Sequence, residues 1–87
     1  MNNNVEVREA RERLQQATDR TMLEHIAWEA LQKSKKVLIS SYLNSGLTAA
    51  NAEIEFCKHM KDHSDRYAAA LDNQSKASTE YAAMLRQ

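Results

Sequence analysis

The chain has 87 residues, which is enough for one domain with a modest core. Its 12 basic and 12 acidic side chains cancel, which removes the usual electrostatic basis for binding nucleic acid or anionic membranes with the whole surface. Large apolar side chains are few, and no run of about 18 apolar residues predicts a membrane-spanning helix.

The first predicted element is a long helix over residues 4–44. Neither proline nor glycine interrupts this stretch, and Asn4 is a suitable N-cap because its side chain can accept a hydrogen bond from a free amide of the first turn. The polar and β-branched residues between Thr18 and Thr21 have lower helix propensity, so we expect the weakest part of the helix there.

The only glycine in the chain, Gly46, predicts where this helix ends, because glycine readily adopts the left-handed conformation that closes many helices. The turn covers residues 45–47. Thr48 is the expected N-cap of a second helix, which extends over about residues 48–86. Since each helix has roughly 40 residues and the connection is short, we expect one antiparallel helical-hairpin domain over residues 1–87.

Apolar residues recur on both helices at alternating steps of four and three, which is the spacing of a coiled-coil seam. On the second helix the seam residues are Phe56, Met60, His63, Tyr67, Ala70, Gln74, Ala77, Tyr81 and Met84. On the first helix they are Val7, Ala10, Leu14, Ala17, Thr21, Glu24, Trp28, Leu31, Lys35, Leu38 and Tyr42. A fold about the glycine turn places Glu24 near His63, where the two side chains can form an acid–base pair or satisfy each other.

A second apolar stripe, which we call the outer stripe, follows another face of the first helix and consists of Leu23, Ile26, Ala30 and Val37. A helix that is apolar on most of its circumference is normally covered on all sides, and one partner helix covers only one face. The sequence therefore predicts self-association, most simply a homodimer that forms a four-helix bundle. The predicted interface residues are Leu23, Ile26, Trp28, Ala30, Val37 and Ile39.

These features indicate a non-enzymatic protein–protein interaction module, such as an adaptor, chaperone, assembly factor or inhibitor. In outline the hairpin resembles WXG100-type proteins, whose turn carries Trp-x-Gly. The turn here reads Asn44-Ser45-Gly46, so no residue of that motif is carried over.

The alternative function is that of a small nucleic-acid-binding regulator. Lysines are concentrated near the turn, although arginine, the better reader of bases and phosphates, is absent from this region. The possible nucleic-acid patch consists of Lys33, Lys35, Lys36, Lys58 and Lys61.

Metal-dependent catalysis is the third hypothesis. Glu55, His59 and His63 follow one another at steps of four, which can place a carboxylate and two imidazoles on one helix face. One helix supplies too few ligands for a closed site, so we expect no metal, no cofactor and no catalytic residue. The single cysteine, Cys57, forms no internal disulfide, and the opening residues lack a secretory apolar segment, so we expect a cytoplasmic protein that does not bind membranes.

Overall fold

The computed structural model describes residues 4–86, which form three helices: α1 (Asn4–Lys33), α2 (Lys35–Asn44) and α3 (Ala49–Leu85). No strand is present in this described part of the chain. The all-helical class predicted from the sequence is therefore confirmed. The molecule is elongated, with extents of 66 × 15 × 14 Å, as expected for long helices that lie side by side.

The prediction of one uninterrupted helix over residues 4–44 is wrong at Ser34, which separates α1 from α2. Its ψ angle is 4°, far from the helical value of about −42°. Its amide is shared between the carbonyl oxygens of Ala30 at 3.0 Å and Leu31 at 3.2 Å, as is common at helix ends. Serine is a weak helix former, and the like charges of Lys33 and Lys36 are three residues apart, so this is a favourable place for an interruption.

The stretch expected to be weakest, Thr18 to Thr21, remains helical. The Thr18 hydroxyl donates to the Leu14 carbonyl at 2.8 Å, and the Thr21 hydroxyl donates to the Ala17 carbonyl at 2.9 Å. These bonds satisfy the hydroxyl groups within the helix, so that they do not compete for amides of the helical ladder.

The turn has the predicted chemistry. Gly46 has a φ of 99°, its amide donates to the Leu43 carbonyl at 3.0 Å, and the Leu47 amide donates to the Tyr42 carbonyl at 3.1 Å. This pair of bonds is a Schellman motif, in which a left-handed residue closes the helix. The Thr48 side chain accepts a hydrogen bond from the Asn51 amide at 3.2 Å, which confirms the predicted N-cap.

Contacts between α3 and the first two helices run antiparallel, because residue numbers rise on one side as they fall on the other. These polar contacts include Arg13 with Glu80, Thr18 with Gln74, Thr21 with Ala70, Glu24 with Arg66, and Lys35 with Glu53. These contacts extend from the open end of the rod to the region of the turn.

The predicted seam matches the observed burial closely. Every seam position on α3 is buried or half-buried, and on α1 and α2 only Lys35 is exposed. The ammonium group of Lys35 leaves the seam to pair with Glu53 at 3.3 Å and lies 5.4 Å from the centre of the Phe56 ring. The seam is also thin: the buried apolar residues of the described chain are Ala10, Ala52, Phe56 and Ala70.

Replacement of Gly46 by alanine tests the turn. An added Cβ would meet no atom within 4 Å, so the whole cost comes from holding an L-residue at positive φ, and we expect the free energy of unfolding to fall by about 1 kcal/mol. Urea unfolding at a fixed protein concentration measures it. Ser45→Ala, at a residue with φ of −82°, is the control and should change stability by less than about 0.5 kcal/mol. Equal effects of the two changes would contradict the role of the positive φ.

Candidate interaction surface

The outer stripe lies on the surface of the molecule. The exposed fractions are 63% for Leu23, 58% for Ile26 and 72% for Val37, and Ala30 is also exposed. Each helical residue turns the chain by about 100°, so positions two residues beyond the seam point roughly 200° away from it. The outer stripe therefore faces away from α3, which leaves it uncovered.

Two further apolar side chains widen this surface. Met22 and Leu43 are 59% and 43% exposed, and both lie one residue beyond a seam position. The stripe spacing of threes and fours does not single them out, because they flank the stripe. Their contribution to an exposed apolar surface can be inferred from their size and from their place in the segment of residues 22–43. This segment has large apolar side chains on several helix faces.

Two of the predicted interface residues, Trp28 and Ile39, are half-buried. The Trp28 ring centre lies 6.4 Å from that of Tyr67 on α3, and the His25 ring lies 5.3 Å from Tyr67. His25 Nε2 is also 2.8 Å from the Glu29 carboxylate. Trp28 thus contributes to contact between α1 and α3, whereas the outer stripe does not.

A polar cluster occupies the middle of the seam around Glu24, which is only 9% exposed. Its carboxylate lies 3.2 Å from Arg20 Nε and 3.5 Å from Arg66 Nε. The expected contact with His63 is replaced, because Arg66 reaches across the helix pair from beside the seam and its Nη2 lies 3.1 Å from His63 Nδ1. A guanidinium carries several donors in a planar fork, so it can contact both groups.

Hydrogen bonds next to this cluster also cross between α1 and α3. The buried Thr21 hydroxyl lies 3.2 Å from the Ala70 carbonyl, and Gln74 Nε2 donates to Thr18 Oγ1 at 3.3 Å. Buried polar groups are costly without partners. A shift of one helix along the other would break these contacts, so they hold the two helices in one register.

Most of the predicted lysine patch is already paired with carboxylates. Lys35, Lys58 and Lys61 lie 3.3, 3.3 and 2.8 Å from carboxylate oxygens of Glu53, Glu55 and Asp65. The hydrogen bond to Asp65, followed by the charge of Asp65, raises the pKa of Lys61. Lys33 and Lys36 are the two lysines of the patch that form no ion pair within residues 4–86. Four of the five lysines line two shallow grooves that share Glu53; Lys33 lines neither.

The histidines considered as metal ligands have other contacts. The His59 ring stacks on Tyr42, with ring centres 6.4 Å apart and planes inclined by 13°, while His63 contacts Arg66. Among the residues that the structure describes, no group of three or more His, Cys, Asp or Glu side chains is arranged to hold a metal ion. Cys57 is an exposed free thiol.

In comparisons with known proteins, no family model, no curated protein and no solved structure matches this chain. None of the helices in the described range has the length and apolar character needed to cross a membrane.

Replacement of Arg66 by alanine tests the polar cluster. The change leaves the nearly buried Glu24 carboxylate with one cationic partner, and since Arg66 is itself half exposed, we expect a loss of about 1 kcal/mol of unfolding free energy. Urea unfolding provides the measurement. Lys76→Ala, which removes a fully surface pair with Asp72, should cost less than about 0.5 kcal/mol. If Arg66→Ala is no more destabilising than this control, the cluster does not stabilise the seam.

Proposed function

We propose that this chain is a non-enzymatic protein–protein interaction module, built as an antiparallel helical hairpin that self-associates through the outer stripe. The observation that carries the proposal is that Leu23, Ile26 and Val37 are exposed on one helix face. Within residues 4–86, by contrast, Phe56 is the only large apolar side chain that is buried. Exposed apolar side chains that lie together on one helix face usually mark an interaction site.

The total exposed surface supports this proposal. The isolated chain exposes 6419 Å², whereas a compact monomer of 9.9 kDa exposes about 5200 Å². The excess of about 1200 Å² is more than the roughly 800 Å² that each partner buries in a standard protein–protein interface. Small domains with little core commonly gain stability through oligomerisation.

A homodimer is the simplest assembly that covers this face. Because the outer stripe points away from α3, a dimer built on it places the two α1 helices at the centre and the two α3 helices outside. The two hairpins together then form a four-helix bundle. The roles that fit are those of an adaptor, chaperone, assembly factor or inhibitor. A cytoplasmic location is also proposed, supported by the free thiol of Cys57.

Nucleic-acid binding is the second candidate. It is favoured by Lys33 and Lys36, whose charges are not neutralised by ion pairs within residues 4–86. The pairing of the other three patch lysines weakens it, because only unneutralised cations attract phosphates effectively. We therefore place it second to self-association.

The double change Leu23→Asp and Ile26→Asp tests self-association. The wild-type chain should sediment at equilibrium as a dimer of about twice 9.9 kDa. The double variant should raise the dimer dissociation constant at least about 100-fold, because carboxylates would be buried in an apolar contact. Circular dichroism should show that the double variant retains the helicity of the wild type.

The chain offers a matched control for this experiment on α3. Ile54 and Leu71 are also exposed, at 52% and 45%, but they do not belong to the outer stripe. The double variant Ile54→Asp and Leu71→Asp introduces the same charges and should dimerise as the wild type does. A monomeric wild type, or equal losses in both variants, would refute the assigned interface.

A gel-shift series tests the second candidate. With two unpaired lysines we expect no specific complex with short duplex DNA or single-stranded RNA at 150 mM salt, and at most a weak one at 50 mM salt. A tight complex that is lost in the Lys33→Ala, Lys36→Ala double variant, but retained in the Leu23→Asp, Ile26→Asp variant, would favour nucleic-acid binding over self-association.

A further inference from the structure

Three residues of the outer stripe, Leu23, Ile26 and Ala30, are flanked at the same spacing by a charged residue on each side. Asp19 precedes Leu23 by four residues, and Lys33 follows Ala30 by three. The two charges have opposite sign and are each seven residues from Ile26. On the face that lies away from α3, Leu23, Ile26 and Ala30 are therefore flanked by an acidic group on one side and a basic group on the other, and Val37 continues the outer stripe four residues beyond Lys33.

Neither of these charges is neutralised by an ion pair within residues 4–86. Lys33 forms no ion pair in the described residues, and Asp19 accepts only a hydrogen bond from Gln15 Nε2 at 2.9 Å. Both residues are exposed. This differs from Glu24 and Lys35, which have partners on α3. Asp19 and Lys33 are thus available to a partner that docks on the outer stripe.

We infer that this partner is a second copy of the chain, with the two α1 helices antiparallel about a two-fold axis near Ile26. The inference rests on the proposed function and adds the orientation and register of the contact. In a parallel pair, Asp19 would face Asp19 of the second copy and Lys33 would face Lys33. The antiparallel pair places each Asp19 level with a Lys33, and the symmetry produces this ion pair twice. Opposed helix dipoles favour the same orientation.

The apolar residues between the two charges fit this arrangement. Ile26 meets Ile26 of the second copy on the axis, and Leu23 lies within one residue of the level of the small Ala30, so that a large side chain faces a small one. The segment from residue 4 to residue 46, which contains α1 and α2, has its middle at about residue 25. A two-fold axis near Ile26 therefore lets the two rods overlap along nearly their whole length, which buries the greatest area.

Charge reversal tests the ion pairs. In sedimentation equilibrium, Asp19→Lys and Lys33→Asp should each weaken dimerisation about tenfold, because each change turns two attractions into two repulsions. The variant that carries both changes restores opposite charges and should dimerise within about threefold of the wild type. In a parallel dimer neither single change alters the like-charge contacts, so unchanged single variants, or a double variant no tighter than the singles, would overturn the inference.

Distances between spin labels test orientation and register independently of these charges. In a Cys57→Ser background, labels at Gln16→Cys and Glu12→Cys lie 10 and 14 residues from Ile26. At 1.5 Å per residue, the antiparallel arrangement predicts separations of about 30 Å and about 42 Å between the two copies. Equal short separations at both positions would show a parallel dimer and overturn the inference. A difference of about 12 Å with other absolute values would overturn the axis near Ile26.

These outcomes are distinguishable from failure of the proposed function. A wild-type chain that sediments as a monomer removes self-association itself. A wild-type dimer that responds to Leu23→Asp and Ile26→Asp, but not to the charge reversals, keeps the proposed function and removes only the antiparallel arrangement.

Discussion

The structure depends on the closeness of two long helices along a seam of small alanines and mostly half-buried aliphatic, aromatic and polar side chains. Small side chains such as Ala10, Ala52 and Ala70 let the backbones approach, but they bury little apolar area. The free energy gained from apolar burial is roughly proportional to the area removed from water, so this seam contributes modestly. Leu23, Ile26 and Val37 lie on the face away from α3 and are exposed, and in the proposed assembly a partner covers them.

Specific pairing in the seam comes from polar groups. Thr21, Glu24 and Gln74 each contact the facing helix at or near the middle of the rod. Single polar residues in an apolar seam commonly set register in coiled coils at some cost in stability. A seam of alanine alone would allow several alignments of nearly equal energy, whereas buried hydroxyl, carboxylate and amide groups favour the one in which all of them have partners.

Much of this arrangement follows from spacing alone. Steps of four and three identify most of the buried and half-buried residues of α3, although the predicted seam begins at Phe56 and omits the buried Ala52. One glycine followed by a threonine N-cap is enough to place the turn. The interruption at Ser34 is not evident from the spacing of apolar residues. It results from the low helix propensity of serine and from repulsion between nearby lysines, and similar sequences also occur in uninterrupted helices. The role of Arg66 is also not evident from spacing, because its position lies outside the seam and only the length of its side chain takes the guanidinium to Glu24. The exposure of the outer stripe follows from its angle to the seam. The spacing of apolar residues in one chain does not identify the partner that covers this stripe.

The rod shape has a consequence for how size is judged in solution. A particle 66 Å long and 15 Å wide meets more friction than a sphere of equal mass, so the single chain elutes from a gel-filtration column ahead of globular proteins of its mass. Two rods that overlap side by side become broader without becoming longer. Elongation relative to mass would therefore be lower in the proposed dimer, and the elution volume would change less than the doubling of mass suggests.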